Sequence, residues 1–514
     1  MSSRNQDIRS VREYHERTAH SPRSVRRSGH RLDWDIKPFP FKIYPDLTAI
    51  PLPRDFPVPA MDTLSALSIP SATAERLDLE RLAALLFFSA GVTRTLRYRS
   101  GVEEHFRAAP STGALYQTEV YVVAGDVANL GAGVYHFCPG DFTLRCLRGG
   151  DFRGAVALAA ADESAASRPA TLILSAIYWR NTWKYEARAY RHLFWDSGTL
   201  VSHLLASATA LGLSARVLTG FVDSDVNALL GLDASAEAAL VLLPVGGEAS
   251  PAPPPPVISA LGAATVPLSS STVEYPLVVQ AYADSSLDEE AEVLEWREHG
   301  PASGNAAEAP PPVNLIRLPA PTPTAGRALG ETIQARGSTR EFSGEAISAE
   351  QFSTALFHAT RGIAADVPAG LVDLYLTVHA VDGVAPGAYV YHPRPHALEP
   401  VKLGDFRADS AFLCLEQELG GASSATVFFL AALDPILLRL GNRGYRVANL
   451  EAGIVGGRLY LASYAQRFGA TGLTFYDQEV VNFFSPRAAG EDALFVTALG
   501  RSVKRAPRGS ARLR

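Results

Sequence analysis

The chain has 514 residues, 47% of them hydrophobic and 19% charged, with a formal net charge of −6. That length exceeds one ordinary core, so two or more domains are expected, and the composition excludes a chain disordered throughout. The charge gives no reason to expect nucleic acid as the main partner. Three scattered cysteines (Cys138, Cys146, Cys414) speak against a disulfide framework or a cysteine-rich metal site. With no bilayer-length apolar run and no apolar signal core, no membrane is expected and a reducing cytoplasm is the simplest compartment.

The chain opens with a basic stretch, Arg9 to Arg31, read as a solvated end within an N-terminal extension of residues 1–60. Leu79 to Ala90 reads as a helix, and the arginine-rich Gly91 to Gly101 as a solvated loop. Gly133-Val134-Tyr135-His136-Phe137 reads as part of a strand pair with a glycine turn, and Ala170 to Tyr178 as an apolar strand. Arg188-Ala189-Tyr190-Arg191 opens a long amphipathic helix. That helix carries His192 and His203 on one face, where core packing is expected rather than metal binding. Asp223 and Asp225 are read as helix caps, and Leu240 to Gly246 as a closing strand. Proline-rich stretches at Pro251–Pro256 and Pro310–Pro323 then mark a crossover, residues 247–327. It is expected to be ordered and to clasp both flanks, with one helical piece, Ser286 to Arg297, burying Leu287, Val293, Leu294 and Trp296.

After the crossover the same signals return in the same order. Glu350 to Thr360 answers the first helix. Gly387-Ala388-Tyr389-Val390-Tyr391 answers Gly133–Phe137, Ala425 to Leu433 the apolar strand, Arg443-Gly444-Tyr445-Arg446 the arginine pair, and Ala493 to Gly500 the closing strand. The spacing from Gly133 to Arg188 matches that from Gly387 to Arg443 within one residue. This is an internal duplication of about 180 residues, with halves at 61–246 and 328–505 and a basic tail at 506–514. Mixed strands and helices in each half make the fold class α+β.

Two strings carry chemistry. Arg336-Gly337-Ser338-Thr339-Arg340, with Arg501 after the last strand, offers forked cationic donors and a hydroxyl suited to phosphate. Alone it reads as a solvated surface run. Pro110-Ser111-Thr112-Gly113 makes a rigid turn able to grip the polar edge of a flat heterocycle, although alone it reads as an ordinary loop.

Together these strings resemble the nitroreductase superfamily, and more closely its SagB/ThcOx-type azoline dehydrogenases from thiazole/oxazole-modified peptide pathways. Tyr14-His15-Glu16-Arg17-Thr18 and Leu32-Asp33-Trp34 also match that branch. The resemblance implies two fused nitroreductase-like domains forming an intramolecular pseudo-dimer with FMN at the junction. Arg336, Ser338, Arg340 and Arg501 would hold its phosphate. Pro110, Ser111, Thr112 and Gly113 would border its ring, and Lys184 and Tyr185 would remove a proton. It also implies a peptide or small-molecule substrate and cyclodehydratase-like biosynthetic partners. A lysine near its ordinary value is a poor base at neutral pH, so burial or a nearby cation is required.

Aligning Ile347-Ser348 with Leu77-Asp78 sets Arg336, Ser338 and Arg340 against Ala66, Ser68 and Pro70. The second half reads Pro368-Ala369-Gly370 at the turn, without hydroxyls, and Leu440-Gly441 where Lys184-Tyr185 would fall. Each half keeps what the other lost, so one working site and one empty mirror site are expected. The readings are therefore an FMN-dependent dehydrogenase or oxidase, an NAD(P)H-dependent reductase, or a flavin-free peptide-binding scaffold.

Overall fold

The computed structural model describes residues 4–68, 75–98, 101, 103–299, 314–367 and 369–503. Each half is built on one antiparallel sheet. In the first, the strand order is Ala49–Pro51, Thr143–Gly149, Gly133–Cys138, Thr118–Ala124, Ala170–Ile177, Glu237–Val245. The second repeats the inner order as Ala397–Leu403, Gly387–His392, Asp373–Val378, Ala425–Ala431, Asp492–Gly500. The central strands are buried along their whole length, as expected of sheets covered on both faces. The fold is α+β, and the duplication is a pair of like-ordered sheets.

Side chains at the helix starts repeat the match. Asp78 accepts from the Arg81 amide and caps Leu79–Ala90, and Ser348 forms a capping box with Gln351 on Ala349–Ala359. Two long helices, Ala189–Ala210 and Arg443–Ala465, pack on each other at the centre. They cross where Gly198 meets Gly453: a Cβ on Gly198 would lie 2.4 Å from the Leu450 carbonyl oxygen, and one on Gly453 2.4 Å from that of Trp195. Only glycine lets backbones approach so closely.

The repeated arginine pairs lock this crossing. Arg188 and Arg191 reach Asp477 of the second half, Arg188 at 2.9 Å. Arg443 and Arg446 reach Asp223 of the first, Arg446 at 2.7 Å. Tyr190 and Tyr445 stack between them with rings 3° from parallel. Asp223 is thus not a helix cap. Its carboxylate is buried, takes both arginines and the Leu287 amide, and is held below the usual carboxylate range by those arginines against the opposing effect of burial.

Three further expectations change. The arginine-rich N-terminus is not a solvated end. Val11 and Tyr14 are fully buried, the Tyr14 hydroxyl donates to the Ala187 carbonyl, and the Arg443 amide donates to Asn5. The arginines of helix Ile8–Arg17 snorkel around a buried stripe. Gly91–Gly101 is no plain loop, since Val92–Arg97 pairs with Glu103–Arg107 as a two-stranded hairpin. In the crossover, helices run over Pro276–Asp284 and Glu290–Glu298; Leu287, Val293 and Trp296 are buried but Leu294 is exposed. The crossover does clasp both halves: Trp296 Nε1 donates to the Leu440 carbonyl and Arg297 to those of Gly220 and Ala161. Among the described residues, no helix is long and apolar enough to cross a membrane and no group of side chains suits a metal ion.

Candidate active site

The Pro110–Gly113 turn is held from behind by a carboxylate that sequence reasoning missed. Asp196, buried on the Ala189–Ala210 helix, accepts from Ser111 Oγ at 2.6 Å, Thr112 Oγ1 at 2.6 Å, the Thr112 amide at 2.8 Å and Gln117 Nε2 at 2.7 Å. Ser111 Oγ also accepts from the Tyr116 amide. The two hydroxyls expected to face a ligand therefore point inward and shape the turn. What the turn presents outward is backbone, at Gly113, whose φ of 61° lies in the left-handed region. The duplication held a signal for Asp196: Glu451 is its counterpart on Arg443–Ala465 and accepts from the Gly370 and Leu371 amides. Of the mirror turn, Pro368 lies outside the described residues.

Lys184 and Tyr185 end the helix Tyr178–Tyr185 and converge on that glycine. A Cβ on Gly113 would sit 2.9 Å from Tyr185 Oη and 3.3 Å from Lys184 Nζ. Glycine thus leaves the space in which both heads meet the turn. Burial lowers the Lys184 ammonium's pKa, and the charges of Arg340 and Lys37 lower it further. Burial raises the Tyr185 hydroxyl, and Asp196 adds to this while Arg340 opposes it. The residues beneath are aromatic: Trp183 is buried and donates to the Asp33 carbonyl at 2.8 Å, Trp34 packs edge-on against it, and His192 lies under Tyr185 at 4.5 Å. His192 is packed, as expected, and so is His203, whose Nδ1 bonds to the Thr199 carbonyl.

Lys37 had no signal in the sequence; it arrives on the N-terminal extension, which Arg180 and Arg107 tie down through the Phe39 and Pro40 carbonyls. Removing its charge favours the protonated form of Lys184. A Lys37→Met variant is therefore expected to move the acid limb of the activity profile to higher pH, by a fraction of a unit, with the alkaline limb unchanged. An unshifted limb would mean that Lys37 does not act on Lys184.

The second half brings the phosphate-type string to the same place. Arg340 is exposed, makes no side-chain hydrogen bond among the described residues, and acts electrostatically on both Lys184 and Tyr185. Ser338 Oγ lies 3.3 Å from Tyr460 Oη, and Arg501, also exposed, donates through Nε to the Ala346 carbonyl. Arg336 differs from expectation: its guanidinium is engaged with the Ala108 and Arg107 carbonyls of the first half, at 2.7 and 2.9 Å. Behind Pro110 and Ser111 lies a small cavity of about 20 Å³, lined also by Arg107, Tyr116, Asp196 and Leu200.

Over residues 63–74 the first half carries no arginine to answer Arg336 and Arg340. The Thr63 amide donates to the Arg327 carbonyl and the Leu329 amide to that of Met61, a reciprocal pair that sets Asp62 against Ala328. Ala66 and Ser68 then fall within the helix Thr63–Ser68. Pro70, set against Arg340 by the sequence alignment, lies outside the described residues.

Comparison with known proteins places this arrangement. The nitroreductase family model matches residues 71–247. The nitroreductase homologue MJ1384 of Methanocaldococcus jannaschii is 32% identical over 171 residues, 33% of this chain and 81% of that protein. The chain belongs to the nitroreductase family. Within the family, its similarity extends to the trifolitoxin-processing protein TfxB of Rhizobium leguminosarum, 31% identical over 176 residues, 32% of this chain and 46% of that protein. The tandem architecture is shared with a solved nitroreductase homologue from Anabaena variabilis, which is 28% identical and has a TM-score of 0.78 over 96% of this chain and 99% of that one.

Proposed function

We propose that the chain is an FMN-dependent dehydrogenase or oxidase that converts thiazoline or oxazoline rings of a peptide into azoles, at one site shared by the two halves. The observation that carries this reading is the convergence of Lys184 Nζ and Tyr185 Oη on the Gly113 backbone of the first half, with the Arg340 charge acting on both from the second. Similarity to a peptide-processing relative supports the substrate class.

The donor set fits FMN. Ser338, Arg340 and Arg501 supply cations and a hydroxyl for the phosphate, and the Pro110–Gly113 turn, exposed at Gly113, would border the ring. Bound there, FMN supplies acceptance of a hydride, with oxygen as the final acceptor. Uncharged Lys184 takes the proton from the azoline carbon, so the substrate loses two hydrogens in all. Tyr185, kept protonated by burial and Asp196, donates a hydrogen bond to the substrate beside the base. Burial, with the charges of Arg340 and Lys37, shifts Lys184 toward its neutral form, and buried Trp183 packs beneath the site.

Two measurements test the reading. Purified chain mixed anaerobically with an azoline peptide is expected to bleach the 450 nm flavin band and yield a peptide two mass units lighter. Bleaching by NAD(P)H alone, with no change in peptide mass, favours a reductase instead, and a chain that takes up no FMN sinks both. The flavin content is expected to be one per chain, because the first half has no arginine over residues 63–74 to answer Arg336 and Arg340 and the mirror turn's segment is pinned across the junction: Asp366 accepts from the Thr219 and Gly220 amides at 2.9 and 2.7 Å. A content near two per chain overturns the single shared site.

A further inference from the structure

We propose that Arg336 is a latch between the halves, a positioning residue for the ring-side turn and not a ligand of the cofactor phosphate. The inference rests on the site assignment above. Arg336 stands at the C-terminal end of helix Leu329–Ala335 and is half-buried. Its Nε and Nη2 donate to two consecutive carbonyls, Ala108 at 2.7 Å and Arg107 at 2.9 Å. Those carbonyls lead straight into Pro110 and the turn under Lys184 and Tyr185. A guanidinium gripping adjacent carbonyls through one edge is fixed in direction as well as position.

The second half holds its own segment by a similar grip, at carbonyls that directly follow its helix. In the second half, the segment leading from the Ala349–Ala359 helix to the mirror turn also has two consecutive carbonyls, Arg361 and Gly362. Arg458, buried on the long helix, donates to both. The matched arginine pairs, Arg188 and Arg191 with Arg443 and Arg446, set Arg458 in register with His203 of the first half. His203 is fully buried; its Nδ1 bonds within its own helix, and its Nε2 has no partner among the described residues. A histidine is too short for the task that Arg458 performs. The first half therefore borrows its donor from across the junction, and Arg336 is that donor. Arg340, exposed and free of side-chain hydrogen bonds among the described residues, is left for an anion.

FMN and riboflavin separate the two roles, because they share the ring and differ by the phosphate. Each variant of the full chain is stripped of flavin, then titrated with both by fluorescence quenching and melted without flavin. Arg336→Met is expected to weaken both flavins by the same factor, on the order of tenfold, and to lower the flavin-free melting midpoint. Adding His203→Arg transplants the second half's solution and is expected to restore both readings. Arg340→Met should weaken FMN alone. The latch is overturned if Arg336→Met weakens FMN alone and leaves riboflavin binding and the flavin-free midpoint at wild-type values. Should the wild-type chain bind neither flavin, the site assignment fails, while the melting of Arg336→Met and its His203→Arg partner still decides the latch.

Discussion

Lys184→Met is expected to lower kcat for azoline oxidation by about 10²–10⁴, the usual contribution of a positioned general base, while FMN content stays at the wild-type level. The side chain keeps its length and loses only the nitrogen. Lys184 Nζ sits at the ring-side turn beside Gly113 and Tyr185 Oη, where burial, Arg340 and Lys37 all favour its neutral form. The sign fixes the pH dependence. A base with a lowered pKa becomes active as pH rises through that lowered value, so the wild-type profile should reach its plateau below the pH that an ordinary lysine requires. Stopped-flow bleaching at 450 nm reads both properties. A variant that retains more than a tenth of the wild-type rate, with a full complement of flavin, would remove Lys184 from the chemistry.

The second large effect concerns the junction that creates the site. Asp477→Asn is expected to destabilise the chain by about 3–5 kcal/mol, the cost of leaving buried charge uncompensated. Asp477 is buried and answers both Arg188 and Arg191, which have no other carboxylate within ion-pair reach among the described residues. Those arginines hold its carboxyl far below the usual range, against the opposing push of burial. A depressed carboxylate stabilises the fold above its unfolded value, about 3.9, and loses that contribution as pH falls through the folded one. The junction should therefore hold at neutral pH and weaken only in strong acid. Urea titration at pH 7 measures the loss. Asp434→Asn is the contrast: Asp434 is exposed, its partner Arg12 lies 3.4 Å away and also pairs with Asp492, and such a surface pair is worth about 0–1 kcal/mol. Equal losses in the two variants would show that the arginine–aspartate pairs do not hold the halves together. Because the proposed cofactor site takes residues from both halves, flavin should be lost in step with Asp477→Asn unfolding.

Much of this was legible before any coordinates. The duplication was visible as matched glycine strands and arginine pairs, because a repeated fold must repeat its turns and its junction contacts. Helix Leu79–Ala90 was read to the residue, since its capping aspartate and apolar period are local signals. Local signals also misled. Arg9–Arg31 was read as solvated because arginines usually are, yet Val11 and Tyr14 between them are buried where the two halves meet. Asp223 looked like a cap because acids favour helix starts, but arginines from the other half recruited it.

The order of residues by itself determined that there are two like halves and that the lysine–tyrosine pair and the two-arginine string were each kept once. Residue type and spacing carry that information. Only the tertiary structure decided which polar groups are already engaged and which remain for a ligand. Ser111 and Thr112 turn in to Asp196, Arg336 donates through Nε and Nη2 to backbone carbonyls, and Arg340 stays exposed. Hydrogen bonds are directional and satisfied by whichever partner lies within about 3 Å, and here those partners come from positions far apart in the chain.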